Sequence, residues 1–182
     1  MLSSGRASPK SKRLARLLRI AVLLAAVVIV VGVYLAEFGR VKGRSMEPTL
    51  RDGDRVVFEK VSSRWGGPVR FDVLVFKGPN DPDKVLIKRV VGLPDEMIEI
   101  RAGRLLVNGV HASLPPSLDW GDVDFGPVAV SPAHYFVLGD NMGDSDDSRR
   151  WGGVPRDYVL GRVCWRFWPL VAWKVFARER RT

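Results

Sequence analysis

A serine hydroxyl becomes a nucleophile at neutral pH only when a base accepts its proton. Ser45, in the segment Gly43-Arg44-Ser45-Met46-Glu47-Pro48-Thr49-Leu50, is the serine of interest, and the chain holds two histidines, His111 and His134. His111 follows a turn and His134 stands near Pro132, just before an apolar run. Neither belongs to a motif, and both fit surface or structural positions. Lysine is the other base available, provided it is held neutral. Its ordinary pKa is about 10.4, so it must fall by about three pKa units, a cost of about 4 kcal/mol. Burial among apolar side chains supplies such a change.

Lys88 lies in Val85-Leu86-Ile87-Lys88-Arg89-Val90-Val91-Gly92. With the two-residue period of a strand, Leu86, Lys88 and Val90 share one face, and Ile87, Arg89 and Val91 share the other. Lys88 is thus flanked by apolar neighbours on its own face. Taken alone, the pattern suits a solvated strand lysine beside Arg89 better than it suits a base. A third segment bears on the choice. It runs from Gly139-Asp140-Asn141 through Ser145-Asp146-Asp147-Ser148-Arg149 to Trp151-Gly152-Gly153-Val154-Pro155. Ser145 offers the hydroxyl acceptor an amine needs. Asp147 with Arg149 is as easily a structural ion pair.

Other nucleophile patterns fail. Ser45 lacks the second glycine of a Gly-x-Ser-x-Gly elbow, and no lysine lies three residues after any serine. No His-Glu-x-x-His or paired-cysteine zinc motif exists. The run Asp140, Asp144, Asp146, Asp147 hints at calcium, but the position where an EF-hand glutamate belongs is Pro155. No metal and no other cofactor is expected. Cys164, the only cysteine, sits in an apolar aromatic stretch that suits buried packing.

The formal charge of +9 over 182 residues raises nucleic acid as a partner, but its distribution points elsewhere. Residues 1–19 hold six basic residues (Arg6, Lys10, Lys12, Arg13, Arg16, Arg19) and no acid. The tail carries Lys174, Arg178, Arg180 and Arg181 against Glu179, which leaves the intervening chain near neutral. Terminal positive charge suits anionic lipid head groups. With no DNA- or RNA-binding motif present, nucleic acid is not an expected partner.

Residues 20–36 form an uninterrupted run without charge or proline, 17 residues long, at the lower end for a bilayer span. Leu17 and Leu18 can extend it while Arg16 and Arg19 snorkel. The basic side precedes the run and Glu37 follows it, so the positive-inside rule puts the N-terminus in the cytoplasm and the remainder outside. A cleaved secretory signal is the rival. The run is long for that, and Tyr34-Leu35-Ala36-Glu37 lacks small residues at both minus-one and minus-three of an obvious cut. The expected organisation is a basic cytoplasmic tail over 1–19, a transmembrane helix over 20–36 and an extracytoplasmic β-rich domain over 37–182.

Within that domain the sequence predicts strands over 55–59, 71–76, 85–91, 97–101, 104–107, 135–138 and 158–167, separated by Gly, Pro, Asn and Asp. Ala102-Gly103 and Asn108-Gly109 are hairpin-turn signals. Residues 109–130 look like a loop. The expected fold class is mainly β, a folded-over antiparallel sheet or partly open barrel behind one transmembrane helix.

The three segments, in this order, resemble those of bacterial type I signal peptidases, and the resemblance covers most of the chain after about Phe38. It implies Ser45 as nucleophile and Lys88 as general base of a serine endopeptidase. It further implies that Ser145 orients the lysine and that Asp147 and Arg149 brace the site. Leu86 and Ile87 match the strand lining the substrate groove, Val41 matches one wall of the small-residue pocket, and Met46 lies beside it. The partners implied are preprotein signal peptides and membrane lipids. Some members carry a hydroxyl residue two positions before the nucleophile to help hold the oxyanion; here that position is Gly43. The short interval between the lysine and Gly-Asp-Asn segments resembles compact members without a second β domain. The C-terminal Trp165, Phe167, Trp168, Trp173 and Phe176 fit either core packing or an interfacial surface.

Three rivals differ in class or place. An organelle inner-membrane peptidase would carry the same dyad. A self-cleaving repressor would need a helix-turn-helix, which is not visible. A non-catalytic membrane-tethered β domain would have no use for Ser45, Lys88 and Ser145 together.

Overall fold

The computed structural model describes residues 9–60 and 66–177. Arg6 of the basic tail and the C-terminal Arg178, Glu179, Arg180 and Arg181 lie outside the described residues. The chain divides into two compact units, Met1–Ala36 and Glu37–Thr182.

The first unit is a helix, α1 (Pro9–Leu35). Proline at its first position costs nothing, because that N–H has no intrahelical partner. Leu17, Val22, Leu23, Leu24, Val28 and Ile29 are exposed along it. Its first half carries the basic residues, and it ends at Leu35, with Ala36 opening a strand. The apolar helical part is therefore shorter than the 20–36 run. Among the described residues no helix is long and apolar enough to cross a membrane.

The second unit is mainly β. Its strands are β1 (Ala36–Arg40), β2 (Arg55–Glu59), β3 (Val73–Lys77), β4 (Val85–Gly92), β5 (Met97–Arg101), β6 (Arg104–Val107), β7 (Val110–Ala112), β8 (Phe125–Ala129), β9 (His134–Leu138), β10 (Val154–Pro155), β11 (Val159–Trp168) and β12 (Lys174–Val175). The main sheet has the order β1-β2-β11-β3-β4-β9-β10, with β12 also paired to β11. Its end strands do not pair with each other, so it is an open sheet and not a closed barrel. A second sheet has the order β7-β6-β5-β8. From β2 onward the pairings are antiparallel.

The expected strands are present, three of them with starts shifted by one or two residues. Phe71 was expected to open a strand, but it takes φ 68°, and pairing begins at Val73. The hairpin signals behave as their residues demand. Ala102 and Gly103 take φ 47° and 69°, and Asn108 and Gly109 take 51° and 78°. Two consecutive positive φ values give the turn whose twist matches the flanking strands.

The expected loop over 109–130 is corrected by the structure. It contains β7 and β8, so the interval between the lysine and Gly-Asp-Asn segments carries a sheet of its own. Gly126 and Pro127 disguised β8. As an edge strand it tolerates a proline that a central strand would reject. The two sheets share a core: Val91, Phe136 and Leu138 of the first pack with Ile98, Ile100 and Leu105 of the second and with Trp120 from the loop before β8.

Candidate active site

β4 and the loop after Val41 position Lys88 and Ser45. β3 pairs along β4 from Val85 to Arg89, with Leu74 opposite Lys88. On the other side β9 joins β4 only from Arg89 onward. Lys88 therefore stands at the end of a stretch of β4 whose outer edge β9 leaves open. Its side chain is buried, 5% exposed. Lys88 Nζ and Ser45 Oγ are hydrogen-bonded at 2.7 Å. Burial pushes the pKa of Lys88 below its ordinary value, against the opposing pull of Asp147, Asp146 and Asp140. The arrangement places a hydroxyl against an amine that is biased toward its neutral, proton-accepting form.

The Ser45 loop is tied on two sides. The Val41 N–H donates to Asp54 O at 2.8 Å, and the Leu50 N–H donates to Met46 O at 2.8 Å. The Asn141 N–H donates to Ser45 O at 3.0 Å, and Asn141 Nδ2 donates to Arg44 O at 3.4 Å. Underneath, Val41, Met46 and Leu50 are buried in one apolar cluster, with Ile87 packed against it. Leu86 packs instead on the cluster of Leu74, Phe76 and Val90. The structure thus gathers Val41, Met46 and Ile87 and sets Leu86 apart from them, as the alternation of β4 requires. Gly43 takes φ 86°, and its N–H is committed to Asp52 Oδ1 at 2.8 Å, so this position works as a turn.

The Gly-Asp-Asn segment closes over the site. Asp147 is fully buried. It accepts from the Gly139 N–H at 3.1 Å and from Arg149 Nε at 2.8 Å and Nη2 at 3.0 Å. Arg149 Nη2 also donates to Met142 O at 2.8 Å. The pair clamps the loop on itself. Ser145 is not hydrogen-bonded to Lys88: its Oγ is buried and has no partner among the described residues. It does lie close in. A Cβ on Gly139 would sit 2.2 Å from Ser145 Oγ and 2.5 Å from the Ser45 carbonyl oxygen. Only glycine lets these two segments meet.

Sequence reasoning assigned no role to Arg89, Asp140, Thr49 or Asn141. Arg89 donates to Asp140 through Nε and Nη2, and Nη2 also reaches Thr49 Oγ1 at 3.2 Å. The available signal was that Asp140 and Asn141 sit inside the quoted segment and Thr49 inside the serine segment. His134 Nδ1 is 2.8 Å from Pro132 O, and His111 lies on β7, in the second sheet. Cys164 is half-buried, with Sγ 3.3 Å from Val57 O, and burial raises its thiol pKa, the wrong direction for a nucleophile.

The family model described as signal peptidase, peptidase S26, matches residues 14–168. The chain is 38% identical over 161 residues to a probable signal peptidase I-2 of Synechocystis, covering 81% of this chain and 71% of that protein. It is 34% identical over 167 residues to signal peptidase IB of Staphylococcus aureus, covering 81% and 86%. It is 36% identical over 145 residues to thylakoidal processing peptidase 1 of Arabidopsis thaliana, covering 74% of this chain and 43% of that one. The family match runs from within α1 to the last residue of β11 and takes in Ser45, Lys88 and the Gly-Asp-Asn segment. The chain therefore belongs to the signal peptidase family, peptidase S26, and is a serine endopeptidase of the signal peptidase I kind.

Proposed function

We propose that the chain removes signal peptides from exported preproteins, with Ser45 as nucleophile and Lys88 as general base. The observation that carries this is the 2.7 Å contact between Lys88 Nζ and Ser45 Oγ, made by a lysine that burial biases toward neutrality. Ser45 Oγ bonds to the scissile carbonyl carbon as its proton passes to Lys88 Nζ. The oxygen of the tetrahedral intermediate takes the charge, with the Ser45 backbone N–H as a donor and no side chain at Gly43 to assist. Collapse breaks the C–N bond, and Lys88 returns the proton to the departing amine. A water, deprotonated by the same amine, then cleaves the Ser45 ester. In this scheme the Ser145 hydroxyl, unpaired in this structure, turns to Lys88 and orients the amine, and Asp147 with Arg149 holds the loop that carries it.

The substrate adds as a strand along the open edge of β4 over 85–88, with alternate side chains entering pockets. In this reading the minus-one side chain meets the apolar cluster of Val41, Met46 and Ile87 next to Ser45, which favours a small residue there. Cleavage follows small residues at minus-one and minus-three. Replacing the minus-one Ala by Leu should block it.

In this reading the 20–36 run ties the chain to the membrane, with the basic N-terminus cytoplasmic and the peptidase domain outside, even though α1 as described falls short of a span. The exposed apolar side chains of α1 and the flanking Arg16 and Arg19 support this. The C-terminal aromatics divide: Phe176 packs on the core, while Trp165, Trp168, Leu170, Val171 and Trp173 are exposed and suit the membrane interface. The thylakoidal relative leaves an organelle setting as the second reading.

The test is cleavage of a preprotein by the full chain in detergent. Ser45→Ala and Lys88→Ala should each abolish it with the fold retained; substantial activity in either sinks the assignment. Protease added outside spheroplasts should reach the β domain, and protection there would reverse the orientation.

A further inference from the structure

One residue of the Gly-Asp-Asn segment holds the peptide bonds on both sides of Ser45. The Asn141 N–H donates to Ser45 O at 3.0 Å, and Asn141 Nδ2 donates to Arg44 O at 3.4 Å. The two bonds differ in what they need. The first is backbone to backbone, and Asn141 O is itself held by the Asp144 N–H at 3.2 Å, so this contact is indifferent to the side chain. The second needs an amide. A carbonyl only accepts, so the group that faces Arg44 O must donate, which a carboxylate does not.

Arg44 O shares its peptide plane with the Ser45 N–H. That bond is trans, so the C=O and the N–H point in opposite directions, and fixing the one fixes the other. Residues 43–50 form turns and bends outside any helix or strand, so no ladder of hydrogen bonds sets this plane. Arg44 O accepts from Asn141 Nδ2 and from the Glu47 N–H, the latter at 3.0 Å. The carbonyl is drawn toward those two donors, and the Ser45 N–H faces away from them. Among the described residues it meets no acceptor. A donor that is aimed and left free, on the nucleophile's own residue, is what a developing oxyanion requires. Gly43 adds no second donor: it has no side chain, and its N–H is committed to Asp52 Oδ1 at 2.8 Å.

We propose that Asn141 is a positioning residue for the oxyanion donor: its side-chain amide holds the Arg44 carbonyl and so aims the Ser45 N–H at the oxygen of the tetrahedral intermediate. The proposal rests on the peptidase reading above. It places part of the transition-state stabilisation in a side chain that touches neither substrate nor base.

The experiment uses the full chain in detergent, a signal-peptide substrate, and the matching peptide aldehyde that ends at the minus-one residue. Ser45 Oγ adds to the aldehyde carbon, its proton passing to Lys88 Nζ, and the former carbonyl oxygen takes the oxyanion position. Asn141 is partly exposed, its backbone bonds survive substitution, and Asp is its isostere, so the variants keep the fold. Deleting an oxyanion donor costs about 10²–10³ in kcat and misaiming one costs less, so Asn141→Ala should lower kcat about tenfold. Asn141→Asp should lower it further, because a carboxylate repels the Arg44 carbonyl. KM should stay within about twofold, since the loss falls on the transition state. Affinity for the aldehyde should fall by the same factor as kcat/KM. The intact substrate should bind Ser45→Ala equally well with and without Asn141→Ala. A kcat within about twofold of wild type in both variants overturns the proposal. So does a loss of substrate affinity that matches the loss of rate, which would make Asn141 a wall of the groove. In both cases the peptidase reading stands as long as the wild type cuts and Ser45→Ala does not. Failure of the wild type to cut sinks both.

Discussion

Arg89 and Asp140 meet fork to fork, Nε to Oδ1 at 2.7 Å and Nη2 to Oδ2 at 2.6 Å, and both are buried. The same guanidinium reaches Phe71 O at 2.9 Å and Thr49 Oγ1 at 3.2 Å. One side chain next to Lys88 therefore ties β4, the serine loop and the Gly-Asp-Asn segment together. Removing one partner strands a buried charge, so Asp140→Ala should cost about 3–5 kcal/mol of stability. Arg89→Met combined with Asp140→Leu should recover much of that loss without recovering cleavage, because the loops are no longer joined. Denaturant unfolding measures both; a loss under about 1 kcal/mol for Asp140→Ala counts against this role.

Gly139 is where the serine and Gly-Asp-Asn segments press together, and it is so by lack of space and not by backbone conformation. A Cβ would fall 2.5 Å from the Ser45 carbonyl oxygen. Gly139→Ala must push Ser45 or Ser145 aside, at about 1–3 kcal/mol for overpacking. If Ser45 is the attacking group as proposed, a displacement near 1 Å there can cost about a hundredfold in rate. The expected result is a kcat lower by about two orders of magnitude, with the fold intact by circular dichroism. Wild-type kcat in Gly139→Ala would show that the nucleophile does not depend on this contact.

How much of this was legible in the sequence follows from the range of each signal. Arg55–Glu59, Met97–Arg101 and Arg104–Val107 match the expected strands to the residue, because alternation and the Ala102-Gly103 turn are local. β8 was hidden, since Gly126 and Pro127 read as a break and only its pairing with β5 makes it a strand. Ser45 and Lys88 were singled out through the segments around them, not through the strand pattern, which alone favoured a solvated lysine; the structure buries that lysine against Ser45. The Arg89–Asp140 pair was not legible: its members are 51 apart in sequence and meet only once β9 pairs with β4. Ser145 was expected to bond Lys88, and its hydroxyl instead stands without a partner beside Gly139.

The pH dependence tests the physical claim about Lys88 most directly. Its pKa is lowered first by burial, and the carboxylates of Asp147, Asp146 and Asp140 oppose the change without reversing it. Only the neutral amine accepts the Ser45 proton, so kcat/KM should rise with pH through the depressed pKa and then level off. Lys88→Arg should be inactive, because guanidinium stays protonated. Ser145→Ala should reduce the rate less than Lys88→Ala does, since it removes an orienting group and leaves the base. Stability carries the same sign. The folded chain binds this proton more weakly than the unfolded one, so between the depressed pKa and the ordinary value the unfolded state holds more protons. Stability should therefore rise with pH across that interval, with the gain complete above the unfolded pKa. Lys88→Met should flatten that rise. Initial rates and unfolding midpoints of the full chain in detergent, taken from about pH 6 to about pH 10, decide it. A rate that does not climb, or an active Lys88→Arg variant, means that another group takes the proton from Ser45.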